Sequence, residues 1–122
     1  MVNLYGYKAK VLSSYDADNL EILIDCGFNI YLKEKARLNG IDAPELRTKN
    51  KKEKELAYEA RNYVRDLVLD KDIEITTTKE GKYGRYLIDV YLEDGTHLNK
   101  HLIDIGYAKE YHGGKKEKWF DE

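Results

Sequence analysis

Apolar and polar residues alternate along the first third of the chain with the two-residue period of half-buried β-strands. The alternation first covers residues 5–11 and is followed by polar residues 13–19, which predict a turn. It continues through residues 20–32, where a bend is expected at residues 25–27. The charged residues 33–35 are expected on the solvated surface of the returning strand. The pattern therefore predicts one strand followed by a hairpin.

The period changes to that of an amphipathic helix between residues 53 and 69. The predicted buried face consists of Leu56, Ala60, Tyr63, Val64, Leu67 and Val68. Residues 47–52 contain no apolar side chain, so we expect an exposed and mobile loop before the helix.

Two further strands are predicted at residues 73–77 and 87–92. A second helix is predicted near residues 98–105, with Gly106 as its C-terminal cap and a short extended stretch at residues 107–111. Hairpins dominate, and only one helix lies between strands. This order favours a small β-barrel with packed helices over parallel α/β units.

Composition narrows the class of protein. A length of 122 residues indicates one domain, residues 1–122, with a core at about residues 5–111 and a short charged tail at residues 112–122. No apolar run is long enough to span a membrane. No secretory signal is visible, so a cytoplasmic location or intracellular release is the default expectation. The protein is expected to be a monomer. The single cysteine, Cys26, excludes an intrachain disulfide and is expected to lie buried in a strand.

The 21 basic and 23 acidic residues give a formal net charge of −2, which argues against a protein that coats DNA. A local nucleic-acid site remains compatible with this net charge, because basic residues cluster at residues 47–54, 79–85 and 115–118. Eleven tyrosines are many for this length. They suit amphipathic strands and also offer surfaces on which bases can stack.

The stretch from Arg37 to Glu45 carries the strongest chemical signal. It combines Arg37, Asp42, a chain-breaking Pro44 and Glu45 within nine residues. Asp is an oxygen ligand for Ca²⁺ or Mg²⁺, Glu can orient or deprotonate water, and Arg can bind a phosphate through two hydrogen bonds. The stretch alone is equally compatible with a strand that ends in a polar turn.

Three separated stretches, residues 16–19, 37–45 and 82–85, together resemble the staphylococcal nuclease (thermonuclease) family over roughly residues 7–111. The resemblance implies a five-stranded OB-type barrel with helices, an α+β fold, here with a truncated C-terminal helix. It further implies a Ca²⁺ site formed by Asp18, Asp42 and the backbone carbonyl of Ala43. The residues themselves leave Mg²⁺ open, although it is less favoured.

The same resemblance implies a catalytic Glu45 and two phosphate-binding arginines, Arg37 and Arg85. Substrate contacts are implied for three further residues: Lys82, Tyr83 and Tyr111. Asp16 and Asp18 are also compatible with a turn-forming role, and Asp16 is expected as a turn former or a support for the metal ligands rather than as a ligand. His97 and His101 have a metal-capable i, i+4 spacing, but no Glu accompanies them as in known zinc motifs, and they receive no assignment.

The resulting expectation is a metal-dependent phosphodiesterase, a Ca²⁺-dependent nuclease acting on DNA and RNA. It would prefer single-stranded or accessible substrates, have low sequence specificity and leave 3′-phosphate ends. The alternative is a noncatalytic OB-type module that binds single-stranded nucleic acid. A purely structural or protein-binding domain ranks last. The combination of Asp18, Arg37, Asp42, Glu45 and Arg85 favours the enzyme, because binding alone does not require all five.

Overall fold

A computed structural model of the protein describes residues 5–80, 86–116 and 118–120. The elements in chain order are β1 (Gly6–Asp16), β2 (Asn19–Asp25), β3 (Tyr31–Leu38), β4 (Ile41–Asp42), α1 (Lys51–Val68), β5 (Asp72–Glu80), β6 (Tyr86–Tyr91), α2 (Leu98–Asp104) and β7 (Lys109–Glu110).

Five strands form a closed barrel in the order β1-β2-β3-β6-β5. Neighbouring strands are antiparallel, except that β3 pairs in parallel with β6, and β5 closes the barrel against β1. The short strands β4 and β7 form a separate antiparallel pair. This architecture confirms the predicted five-stranded barrel with packed helices. Neither helix in the described part of the chain is long and apolar enough to cross a membrane.

The barrel is filled by the inward-facing residues of its strands, among them Val11, Ile22, Leu38, Ile75 and Val90, all almost fully buried. Apolar side chains at alternate positions meet inside the barrel because successive strand residues point to opposite faces. Burial of these surfaces supplies most of the driving force for folding.

Helix α1 packs against the barrel through Ala57, Ala60, Val64 and Val68. All six residues of the predicted face are buried or half-buried, and Ala57 is a further buried residue that was not predicted. The helix begins two residues before the predicted start because the Asn50 side chain accepts a hydrogen bond from the Glu53 amide at 3.0 Å. The preceding loop is correspondingly shorter than predicted.

Strand β1 is longer than predicted: residues 13–16, expected in a turn, continue the strand. Register shifts occur between Val11 and Ser13 and between Ser14 and Asp16. The first shift reverses the alternation, so that Ser14 and Asp16 are buried whereas Ser13 and Tyr15 point outward. Arg65 of α1 holds this end of the strand through two hydrogen bonds to the Ser14 carbonyl, at 2.9 and 3.2 Å.

The turn between β2 and β3 differs from the predicted alternation. Phe28 and Asn29 have left-handed backbone conformations, and the Cys26 amide donates to the Ile30 carbonyl at 2.9 Å. Because this wide turn delays the start of β3, Phe28 is 97% exposed and Leu32 is also exposed rather than half-buried. Cys26 lies in this turn and is half-buried. The expectation that it is buried within a strand was therefore wrong.

The second helix is joined to the barrel by Asn99, which is 2% exposed. Its side chain accepts from the Val90 amide at 3.0 Å and donates to the carbonyls of Asn39 and Ile88 at 2.9 and 3.0 Å. Gly106, with a φ of 86°, ends the helix as predicted. The chain then returns as β7, and the Tyr111 amide donates to the Gly40 carbonyl at 2.8 Å. The described residues after Tyr111 contain no helix.

Candidate active site

A cleft of about 640 Å³ lies at the end of the barrel where β1 and β3 end and β2 begins. Its lining combines acidic, basic and tyrosine side chains, including Tyr15, Asp16, Asp18, Lys35, Arg37, Asp42, Glu45, Arg47 and Lys116. Five of the predicted site residues line this cleft: Asp18, Arg37, Asp42, Ala43 and Glu45. The fold brings Asp18 to the other four, which already lie within nine residues of sequence.

Asp18 and Asp42 are the most deeply buried carboxylates of this cleft, with 3% and 5% of their surface exposed. Asp18 lies in the two-residue turn between β1 and β2, and Asp42 ends β4. The Ala43 amide donates to Asp18 Oδ2 at 3.0 Å, and the Asn19 side-chain amide donates to Oδ1 at 3.1 Å. These bonds fix the orientation of the Asp18 carboxylate. A metal-binding role for the Ala43 carbonyl stays a prediction.

Arg37 connects the two carboxylates. Its Nη2 lies 3.4 Å from Asp18 Oδ2, 3.4 Å from Asp42 Oδ1 and 3.3 Å from the Ile41 carbonyl. Arg37 faces the cleft because it alternates with the inward-facing Ala36 and Leu38 on β3. A guanidinium so placed partly neutralises the buried acids and presents positive charge to the cleft.

Burial raises the pKa of Asp18 to about 6, although Arg37 and the Ala43 amide act in the opposite direction. The nearby charges of Asp42 and Asp16 raise it further. Burial disfavours the ionised form of a carboxyl group, and a neighbouring carboxylate does the same. The ionised cluster would therefore be stabilised by additional positive charge.

Asp16 is the third buried acidic residue of the cleft. Its Oδ1 accepts a hydrogen bond from the Leu46 amide at 3.3 Å, which ties the loop after β4 to the end of β1. Burial raises the pKa of Asp16, and the Leu46 hydrogen bond partly offsets this effect. Asp16 thus supports the loop that carries Glu45.

Glu45 lies at the open side of the cleft with 54% of its side chain exposed. Its backbone amide donates to Glu53 Oε2 in the first turn of α1 at 3.0 Å. The helix therefore holds the backbone of this residue, while its carboxylate remains accessible to water. An exposed carboxylate beside buried acids and an arginine has the elements needed to orient or deprotonate water.

Lys116 is a member of the cleft that the sequence did not single out. Its Nζ lies 3.0 Å from Asp42 Oδ1 and 3.5 Å from Glu45 Oε1. Burial lowers the pKa of Lys116, but the hydrogen bond and charge of Asp42 outweigh this effect, and the net pKa is raised. The sequence identified only a basic cluster at residues 115–118, and nothing in it distinguishes Lys116 from its neighbours.

Tyr111 lies beside these cations, after the short strand β7. Arg37 Cζ and Lys116 Nζ lie 5.6 and 5.7 Å from the centre of its ring, within the range of cation–π contacts. Its hydroxyl donates to the Gly114 carbonyl at 2.8 Å, so the ring also anchors the following segment. Its predicted contact with a nucleotide base stays a prediction.

The remaining predicted residues, Lys82, Tyr83 and Arg85, lie outside the described residues. The two helix histidines have separate partners: His97 Nε2 lies 2.9 Å from Asp89 Oδ1, and His101 Nε2 lies 2.6 Å from the Tyr63 hydroxyl. Among the described residues, no group of three or more His, Cys, Asp and Glu side chains is arranged to hold a metal ion.

A smaller oxygen-donor set is nevertheless compatible with a divalent cation. Asp18 and Asp42 present carboxylate oxygens, the ligand type of Ca²⁺ and Mg²⁺. Burial raises the pKa of Asp18, so a bound cation would favour the ionised form of this carboxyl group. With two carboxylates, water and substrate oxygens would have to complete the coordination.

Comparison with known proteins adds two findings. The model of the family described as "Staphylococcal nuclease homologue" matches residues 35–121. Two proteins called "Uncharacterized endonuclease", from Escherichia coli O157:H7 and Escherichia coli, are each 28% identical to this chain over 109 residues. The match covers 89% of this chain and 62% of each relative, so the chain spans less than two thirds of their length.

Proposed function

The chain belongs to the family of staphylococcal nuclease homologues, and from this we propose that it is a metal-dependent nuclease that hydrolyses phosphodiester bonds in DNA and RNA. The observation that carries the proposal is the buried pair Asp18 and Asp42, joined by Arg37 and adjacent to the exposed Glu45 in one cleft. The similarity to proteins named endonucleases supports the same activity.

Asp18, Asp42 and the carbonyl of Ala43 are the residues that would hold the metal, with Ca²⁺ preferred over Mg²⁺. A bound divalent cation would offset the negative charge that develops on the phosphoryl oxygens during hydrolysis. The fixed Asp18 carboxylate supports this role, since the Ala43 amide and the Asn19 side chain both hold it in place.

We assign a separate role in the reaction to each side chain. Arg37 binds the phosphoryl oxygens and stabilises their charge in the transition state. Glu45 orients the attacking water and accepts its proton, a contribution of about 10²–10⁴-fold for a well-placed base. We assign Arg85 as the second phosphate-binding arginine, and Lys82 and Tyr83 as contacts to a terminal phosphate.

Substrate preference follows from the kind of contacts. Arg37 and Glu45 act on phosphate and water, and Tyr111 offers a ring for base stacking, so none of them reads a base sequence. We therefore propose cleavage of single-stranded or accessible strands with low sequence specificity, leaving 3′-phosphate ends.

One observation favours a noncatalytic OB-type module that binds single-stranded nucleic acid. Lys116 and Arg37 both contact Asp42 Oδ1, at 3.0 and 3.4 Å, so the acidic cluster already has internal cations. If these cations persist, the residues need no metal, and the cleft can bind a strand without cutting it.

Digestion of heat-denatured DNA and of RNA with Ca²⁺, with Mg²⁺ and with a chelator separates the two functions. The wild-type protein should cut only with metal, and Glu45→Gln and Arg37→Ala should each lose at least about 100-fold in rate. Glu55→Gln, an exposed acid on α1, is the matched control and should cut normally. Cutting in chelator would exclude the metal role, whereas binding without any cutting would establish the noncatalytic module.

A further inference from the structure

Three adjacent barrel strands present a continuous row of outward-facing side chains beside the acidic cluster. We call this surface the outer strip; its residues are Ser13, Tyr15, Asn19, Glu21, Lys35 and Arg37. The strand register brings them together, since Ser13 pairs with Glu21 and Glu21 pairs with Lys35. All six line the same cleft as Asp18 and Asp42. The cleft therefore extends from the acids along the barrel wall.

Tyr15 is the exposed aromatic residue of the outer strip, with 54% of its surface accessible. It faces outward because the register shift after Val11 reverses the alternation of β1. Arg47 Cζ lies 5.8 Å from the centre of its ring. The hydrogen bond from the Leu46 amide to Asp16 holds the loop at this position. An aromatic ring and a guanidinium are thus paired in the lining of the cleft.

Lys35 adds a second cation. It lies two residues before Arg37 on the same face of β3, a separation of about 7 Å along the strand. This is the scale of one nucleotide in an extended single strand. Glu21 is the acidic residue of the outer strip. Its Oε1 lies 3.7 Å from Lys33 Nζ, which partly offsets the negative charge of Glu21.

We propose that the outer strip and Arg47 form a second nucleotide subsite, which binds the nucleotide next to the phosphodiester that is cut. Its base stacks on Tyr15, and its phosphate is bound by Arg47 and Lys35. This inference rests on the proposed function, because it assigns how the strand continues from that site. Exposed aromatic rings interleaved with cations bind single strands without reading their sequence. A base that replaces the guanidinium on Tyr15 leaves Arg47 available for the phosphate.

The test measures binding of a fluorescein-labelled oligothymidylate by anisotropy, in a Glu45→Gln background that prevents cleavage. Tyr15→Leu should weaken binding about tenfold, the scale of one lost base stack, without changing the salt dependence. Arg47→Gln and Lys35→Gln should each reduce the slope of log K against log salt by about 0.7, the value for one phosphate contact on a single strand. In the active protein, Tyr15→Leu should raise KM and leave kcat unchanged.

The matched control is Tyr58→Leu. Tyr58 is 43% exposed on α1 and also carries a guanidinium over its ring, with Arg61 Cζ at 4.8 Å, but it does not line the cleft. Thermal melting of each variant verifies folding, and the loop variant Arg47→Gln tests the subsite if Tyr15→Leu is unstable. Equal binding by Tyr15→Leu and Tyr58→Leu, together with an unchanged salt slope in Arg47→Gln, overturns the inference.

The outcomes also separate this inference from the proposed function. If the wild-type protein cuts DNA and the Tyr15 and Arg47 variants match it in KM and affinity, the nuclease stands and the subsite is wrong. If the wild-type protein never cuts but Tyr15→Leu weakens binding as stated, the strand-binding surface stands and the nuclease is wrong. If the wild-type protein neither binds nor cuts DNA, both the nuclease and the subsite are wrong.

Discussion

Lys116 Nζ and Asp42 Oδ1 lie 3.0 Å apart, so a residue from the charged segment after β7 reaches the buried acids of the cleft. Tyr111 supports this approach: its hydroxyl bonds to the Gly114 carbonyl, and its ring lies 5.7 Å from Lys116 Nζ. The same Asp42 oxygen is also contacted by Arg37. An oxygen engaged by two side-chain cations is less available to a divalent metal ion.

We therefore predict that Lys116→Gln increases the affinity for divalent cations about fivefold, since a partly exposed ion pair contributes about 1 kcal/mol. Tyrosine-sensitised Tb³⁺ luminescence, with Ca²⁺ as competitor, measures this affinity without reference to activity. Lys115→Gln, an exposed neighbour, is the control and should bind metal like the wild type. Equal affinity in Lys116→Gln and the wild type would show that Lys116 does not compete.

We predict that the buried Asp18 carboxylate lowers the stability of the metal-free protein and is required for metal binding. Its folded pKa of about 6 lies above the ordinary value of 3.8, so ionising it above pH 6 disfavours the folded state. Asp18→Asn should raise the free energy of unfolding of the metal-free protein at pH 7 by up to about 3 kcal/mol and should abolish metal binding. Urea denaturation in chelator measures the first effect, with the exposed Asp66→Asn as control.

The stability difference between Asp18→Asn and the wild type should depend on pH in one direction. The destabilising effect of ionised Asp18 is fully present above about pH 6 and is gone below the unfolded pKa of 3.8. The stability advantage of Asp18→Asn over the wild type should therefore shrink as the pH falls from 7 to 4. An advantage that stays constant over this range would mean that Asp18 is not desolvated as described.

Asn99 should stabilise the fold, and its replacement should affect the cleft only through the backbone of the turn before Asp42. It makes three hydrogen bonds to the backbone of Val90, Ile88 and Asn39, and the Asn39 bond fixes the turn before Asp42. Asn99→Ala removes the side-chain acceptor of the buried Val90 amide and should cost about 1–3 kcal/mol of stability. Thermal or urea denaturation measures this loss, and the exposed Lys100→Ala provides the comparison on the same helix. A loss below about 0.5 kcal/mol would contradict the assignment.

Gly40 should be required for the backbone of the turn between β3 and β4. Its φ is 77°, and an added Cβ would lie 3.4 Å from His112 Cε1. Gly40→Ala should cost about 1–2 kcal/mol. Gly40→Asn adds the same Cβ but tolerates this conformation better, so it should recover part of the loss. If both variants lose equal stability, the contact with His112 rather than the backbone conformation is responsible.

Much of the fold could be predicted from the sequence because the signals are local. The alternation around Val11, Ile22 and Val90 is produced by the two faces of a strand, and the spacing of Ala60, Val64 and Val68 is that of one helix face. The order of these elements favoured a barrel with helices, and the family resemblance specified five strands. The residues of the Arg37–Glu45 stretch could be proposed as candidates for the same reason, since they lie close together in sequence.

The remaining features depend on contacts between distant segments, which no local pattern encodes. A register shift against β2 decides that Tyr15 faces the cleft and Asp16 is buried. A turn closed by hydrogen bonds exposes Phe28 despite its place in an apolar alternation. The return of the chain past Tyr111 brings Lys116 to Asp42 across more than seventy residues of sequence. Hydrophobic periodicity determined which residues fill the barrel, whereas the pairing of strands and the path of the final segment determined which charges meet in the cleft.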